Sequence, residues 1–142
     1  MAIGSSPGRV DAQGRIVIPQ RFRDALQSGV VLVRGLDRCI EAYPPVQWSN
    51  EKERMERLPR YNANARTLRR LILGSAYEIG LDRQGRAVIP GKLREHAGIT
   101  EEVEIVGQGA YFEIWDAGRF AEQEEKVDDI SDIAAEFGEL NE

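Results

Sequence analysis

The chain has 142 residues, 42% of them hydrophobic, with 19 basic and 24 acidic side chains and a net charge of -5. That length suits one compact domain or two interlocked small ones, and no apolar run approaches the roughly 20 residues of a membrane span. The single Cys39 excludes an internal disulfide and fits a reducing cytoplasm, and no signal-peptide pattern is read at the N-terminus.

In chain order, Asp11-Ala12-Gln13-Gly14-Arg15 reads as a tight turn, in which Asp bonds the backbone ahead and Gly supplies a positive φ. The β-branched run Ile16-Val17-Ile18 is a short strand. Pro19 stops it and opens a helix with Phe22, Ala25 and Leu26 on one face, closed by Gly29. Val30–Val33 and Cys39–Tyr43 then form a hairpin about Gly35. Next comes a helical insert: Val46, Trp48, Met55 and Leu58 mark an amphipathic stretch ended by Pro59. A second stretch places Ala65, Leu68, Leu71 and Ile72 on one side and Arg66, Arg69 and Arg70 largely on the other.

After the insert the first pattern returns. Asp82-Arg83-Gln84-Gly85-Arg86 is the second turn, Ala87-Val88-Ile89 the strand, and Pro90 the helix start, with Leu93 and Ala97 on its inner face and Gly98 at its end. Val103–Val106 and Tyr111–Trp115 match the earlier hairpin, Glu113 standing for Glu41. From position 10 to 23, 8 of 14 residues are identical to those 71 positions later, so the chain carries one small unit twice. Such a unit buries too little surface alone, and the copies are expected to share a core. The reading is an α+β fold with a sheet or barrel core and helices at its edges. It divides into units at 5–47 and 76–119, a helical insert at 48–75 and an acidic helix or tail at 120–142, where Phe120, Val127, Ile130, Ala134 and Phe137 recur at helical spacing.

Charge is segregated. Residues 120–142 hold nine acids against Lys126, a net -8, while residues 1–119 carry a net +3. Sixteen of the 19 cations are Arg, whose flat fork suits phosphates, guanine edges and carboxylates. In each turn Asp and Gly serve the geometry, and a local Asp–Arg pair is the plain reading. Nothing in the turn requires Arg, however, and both copies have it. Arg15 and Arg86 are therefore the candidates for two-pronged recognition of guanine or phosphate, with Asp11 and Asp82 holding the forks. Arg9, Arg21 and Arg23 in copy one, and Arg83, Lys92 and Arg94 in copy two, are either added phosphate contacts or solvated surface charges. Arg66, Arg69 and Arg70 face either DNA or the acidic tail of a neighbouring subunit. Cys39 and His96 are not in a recognisable catalytic context, and no phosphate-cradling loop, dinucleotide fingerprint or zinc cluster is present in the sequence. No cofactor, metal or small-molecule substrate is expected. Trp48, Trp115 and Tyr43 read as core and interface.

The doubled Asp-x-x-Gly-Arg-x-x-Ile-Pro-x-x-x-Arg pattern resembles the MraZ family, bacterial regulators with two SpoVT/AbrB-type DNA-binding units in one chain. The resemblance runs from about residue 8 to 120. It includes Tyr43-Pro44 with Trp48, Leu71-Ile72-Leu73-Gly74-Ser75-Ala76, Leu93-Arg94-Glu95-His96-Ala97-Gly98 and Phe112-Glu113-Ile114-Trp115-Asp116. It implies a cytoplasmic, nucleoid-associated transcription factor, usually a repressor, on G-containing promoter repeats upstream of the division and cell-wall gene cluster, its own gene included. It also implies an internal pseudo-dimer with a barrel-like core, assembled into ring-shaped homo-oligomers, with Arg15 and Arg86 facing DNA. The rivals are an AbrB-like antitoxin or transition-state regulator, which normally has one copy per chain, and an enzyme with a deep pocket. In one place the sequence departs from the family. Met1–Val10 is rich in Gly, Ser and Pro where the family has a strand with aromatics, so a short, frayed or irregular first strand is expected.

Overall fold

Each unit builds the same series of elements. In the computed structural model, which describes residues 1–141, unit one runs β1 (Ser5–Arg9), β2 (Arg15–Val17), α1 (Gln20–Arg23) with a tight 3-10 turn over Asp24–Leu26, β3 (Val30–Arg34) and β4 (Ile40–Tyr43). The insert is α2 (Pro45–Glu56) and α3 (Ala63–Leu73), and unit two follows as β5 (Tyr77–Ile79), β6 (Arg86–Val88), α4 (Gly91–Ala97), β7 (Glu102–Gly107) and β8 (Phe112–Asp116). α5 (Ala117–Glu125) and α6 (Ile130–Ala134) close the chain, with a further 3-10 stretch over Ala135–Asn141. Glu142, the last residue of the expected acidic tail, lies outside the described residues.

The strands interleave between units. Six form an antiparallel sheet in the order β1-β7-β8-β4-β3-β5, and β2 pairs with β6 in a separate two-stranded ribbon. The first strand of each unit thus pairs with the third strand of the other, and exchanging the units maps the order onto itself. At the two central junctions equivalent residues meet, Glu41 opposite Glu113 and Ile16 opposite Ala87.

Strand alternation divides the apolar residues between two cores. Ile16, Ile18, Ala87 and Ile89 from the ribbon pack with Leu32, Ile40, Ala42, Ile105, Phe112 and Ile114 from one sheet face, and with Phe22, Leu26, Leu93 and Ala97 from the helices. Phe22 of unit one stacks on Phe112 of unit two with ring centroids 4.9 Å apart, so neither unit completes this core alone. The other face carries Val31, Val33 and Tyr43 under Ile72, Trp48, Met55 and Leu68 of the insert helices. Beside them, Phe120 of α5 rests on Trp115 at 5.8 Å.

Four expectations are corrected. No closed barrel is found among the described residues. β1 and β5 stand at opposite edges of an open sheet, and Pro19 and Pro90 limit the ribbon strands to three residues each. The first strand forms over five residues, longer than β5 with its stronger strand formers. Its pairing with β7 is made by backbone, and at Gly8 a Cβ would sit only 3.1 Å from Val103 Cγ2, a close approach that Gly permits. In the insert, Val46 is exposed rather than packed, and Leu71 is also largely open. The C-terminal segment is two helices, because Asp129 caps a new start by accepting from the Ser131 amide at 2.9 Å, and Ile130, Ile133 and Phe137 remain exposed.

Candidate nucleic-acid interface

The two Asp–Arg turns are near-copies. Asp11 Oδ1 accepts from the amides of Gln13 and Arg15, both at 2.9 Å, and Oδ2 accepts from Arg15 Nε at 2.8 Å. Asp82 Oδ1 accepts from the amides of Gln84 and Arg86, again at 2.9 Å, and Oδ2 from Arg86 Nε at 2.7 Å. Gly14 and Gly85 sit at φ of 77° and 75°, the left-handed conformation these turns require. The Arg15 amide, the Gln13 amide and the Arg15 fork together hold Asp11 below the usual carboxylate range, the Arg15 amide most strongly. Asp82 is held down in the same way by Arg86 and Gln84.

Each Asp occupies Nε and leaves the outer edge of the guanidinium. Arg15 Nη2 also donates to Gln13 Oε1 at 3.1 Å, whereas the outer nitrogens of Arg86 have no partner among the described residues. Ribbon register puts the two arginines on one face. Arg15 lies opposite Val88 and Arg86 opposite Val17, so the arginines are diagonal neighbours, their Cα atoms roughly 7–8 Å apart. A fork pinned at Nε keeps Nη donors for two-pronged bonding to an anion or a guanine edge with little side-chain ordering left to do, once Arg15 Nη2 gives up Gln13.

Each turn is also held by the opposite unit. Ile89 N donates to the Gly14 carbonyl at 2.8 Å, and Ile18 N to the Gly85 carbonyl at 2.9 Å. Arg23 Nε donates to the Ile18 carbonyl at 2.6 Å, and its guanidinium covers Gly85, while Arg94 lies reciprocally against Gly14. Sequence reasoning placed Arg23 and Arg94 among the flanking cations. The fold makes them cross-unit braces under the turns, a role visible only once each turn is known to sit against the other unit.

The other flankers disperse. Arg9 is ion-paired to Glu101. Arg21 bonds Ser6 Oγ and lies over the Phe22 ring and Gly4, which ties it to the N-terminal strand. Arg83 at the tip of the second turn and Lys92 at the start of α4 are exposed. On α3, Arg69 Nη1 donates to the Leu58 carbonyl at 2.9 Å and Arg66 Nη1 to the Arg60 carbonyl at 3.1 Å, so both brace the helix-to-helix loop.

The sequence reading missed the central pair of the sheet. Glu41 and Glu113, 9% and 7% exposed, face each other across β4 and β8. Tyr43 Oη donates to Glu41 at 2.8 Å and Trp115 Nε1 to Glu113 at 3.0 Å. Burial pushes the Glu41 carboxyl up, and burial with both glutamates raises the Cys39 thiol still further, away from a reactive thiolate. His96 Nε2 meets the Asp37 carbonyl at 3.1 Å, and burial lowers its pKa.

Comparison with known proteins agrees with the doubled architecture. The pattern of a family described as "MraZ protein, putative antitoxin-like" matches residues 1–71 and again 72–138. The chain belongs to the MraZ family. A protein of Limosilactobacillus fermentum named transcriptional regulator MraZ is 37% identical over 99% of both chains. One of the same name from Pediococcus pentosaceus is 38% identical over 97% of this chain and 99% of its own. The Coxiella burnetii relative, also so named, is 43% identical over 79% of this chain and 77% of its own.

Proposed function

We propose that this chain is a sequence-specific DNA-binding transcriptional regulator. It acts as a repressor at repeated promoter boxes upstream of the division and cell-wall gene cluster, its own gene included, in the cytoplasm and on the nucleoid. The observation that carries the reading is the ribbon: two arginines on one face, each fixed at Nε by its own Asp, with Nη donors left over that at Arg86 have no partner among the described residues. Two-pronged Arg bonding to guanine O6 and N7 is the chemistry such forks suit, and a two-stranded ribbon fits the major groove. The units 5–47 and 76–119 serve as the two DNA-binding domains and form an internal pseudo-dimer, a reading supported by the exchanged strands. The names of the relatives support the regulatory role. No catalysis is assigned: Cys39, Glu41 and Tyr43, whose pKa values burial raises, are packed side chains, as expected of structure rather than of a reactive centre.

Gel-shift binding to the DNA upstream of the chain's own gene tests this. Arg15→Ala with Arg86→Ala is expected to lower affinity at least a hundredfold, each good two-pronged contact contributing about tenfold or more. Unchanged affinity in the double variant would sink the reading. Affinity should also fall steeply between about 50 and 200 mM salt, through contacts to phosphate.

The assembly is proposed as a ring-shaped homo-oligomer, which would present many such ribbons to repeated boxes. Support comes from Ile130, Ile133 and Phe137, apolar side chains left uncovered on the C-terminal segment. Light scattering that finds only monomer at micromolar concentration would remove the ring and leave the DNA reading standing.

A further inference from the structure

The outward face of the β2–β6 ribbon consists of four side chains: Arg15, Val17, Arg86 and Val88. The alternate residues turn inward, where Ile16 and Ala87 are fully buried. Val17 and Val88 are 50% and 51% exposed, so the neighbouring arginines do not cover them. Each valine stands directly across the ribbon from an arginine, Val88 from Arg15 and Val17 from Arg86. A strand face turned to solvent ordinarily carries polar residues, and two equivalent positions holding bare valine, set between cations, suggest a partner that is anionic and locally apolar.

Resting on the DNA reading above, we propose that Val17 and Val88 complete the readout by packing against the 5-methyl groups of thymines adjacent to the guanines taken by Arg15 and Arg86. Thymine is the one base with a methyl group in the major groove, and small apolar side chains are its natural contacts there. Directly opposed side chains on a ribbon lie about 5 Å apart at Cβ, and successive bases about 3.4 Å apart, so an opposed Arg and Val reach neighbouring base pairs. Asp11 and Asp82 bond the two guanidinium groups at Nε only, and the Nη donors that remain on this face favour an anion with hydrogen-bond acceptors over an apolar protein surface as the occupant. The ribbon then reads a guanine–thymine step from each unit rather than guanine alone.

The test changes the DNA, so it does not depend on a variant folding. The probe is the duplex that the full chain enriches from a randomised pool, with its common thymines replaced one at a time by deoxyuridine. Loss of the contacted methyl is expected to weaken binding about fourfold, the worth of one buried carbon. In Val17→Ser with Val88→Ser, whose fold is checked by circular dichroism, binding should start weaker and be indifferent to the same replacement. Enriched duplexes without a shared thymine overturn the proposal, as does binding by the unaltered chain that no replacement changes. Arg15→Ala with Arg86→Ala separates the two failures. If that variant loses selective binding while deoxyuridine has no effect, only the valine contact is wrong; if it binds as before, the reading beneath it falls as well.

Discussion

At Gly14 and Gly85 the turn demands a positive φ, and alanine at either position takes on roughly 1–2 kcal/mol of backbone strain. The second site should suffer more. A Cβ at Gly14 would sit 3.3 Å from Arg94 Nη1, but at Gly85 it would come within 3.0 Å of three Arg23 guanidinium atoms, whose Nε is bonded to the Ile18 carbonyl. Gly85→Ala must therefore displace Arg23 and break that bond, and urea unfolding should show it clearly less stable than Gly14→Ala. Arg15→Lys and Arg86→Lys address the forks. Lysine keeps the charge and loses the planar pair of donors. Each is expected to lose about tenfold in affinity for the enriched duplex, with little change in binding to random duplex or in the salt slope; equal losses on both DNAs would show a role limited to charge. Much of this site was legible in the sequence, because Asp, Gly and Arg at fixed spacing define the turn by local bonding alone. What Arg23 and Arg94 do was not legible, since each is placed by the turn of the other unit.

Among elements, the β4–β8 pair sets two glutamates opposite one another beneath the helices. Glu113, Glu51 of α2, Cys39 and the Tyr43 hydroxyl surround Glu41, and burial chiefly raises its pKa above the ordinary value of 4.5. The folded state therefore binds the proton more tightly than the unfolded state. This contribution to stability is complete below about pH 4.5 and is lost as pH rises through the folded value. Glu41→Gln keeps an oxygen for Tyr43 and removes the titration. Its stability relative to the parent chain should improve as pH rises from about 4.5 toward 7, read by thermal melts across that range; a constant difference would show that Glu41 keeps its ordinary pKa in the fold. The sequence showed Glu41 and Glu113 as equivalent residues but could not show that they stand opposite one another, because cross-strand register between units is not a local property. The terminal strands teach the same point. Ser5–Arg9 has weak strand formers and Tyr77–Ile79 has strong ones, yet the first makes the longer strand, because edge pairing on β7 depends on the backbone offered to it. Local elements such as the Pro-started helices and the two insert helices followed from residue order, while the strand order of the sheet did not.

For the whole molecule, the decisive property is that equivalent strands meet at its centre. Glu41 pairs with Glu113 and Ile16 with Ala87, and each unit's first strand is given to the other. A single unit carries every surface needed to pair with a copy of itself. Residues 72–142 made as a separate chain would have β8 without β4, β7 without β1 and β5 without β3, an apolar sheet with both its hydrogen-bonding edges and its core open. Such a chain is not expected to fold as a monomer. It is expected to fold as a homodimer, β8 against β8 and β6 against β6. The dimer should be weaker than the covalent arrangement for two reasons. Joining two chains costs association entropy that the insert helices spare the intact protein. In addition, Ala87 would face Ala87 where Ile16 now fills the core, a deficit of about 2–5 kcal/mol if the gap does not close. Sedimentation equilibrium with circular dichroism across concentration should therefore show helix and strand signal lost together with dimer on dilution. A folded monomer would mean that the exchanged strands are dispensable, and that the two units are neighbours rather than halves of one core.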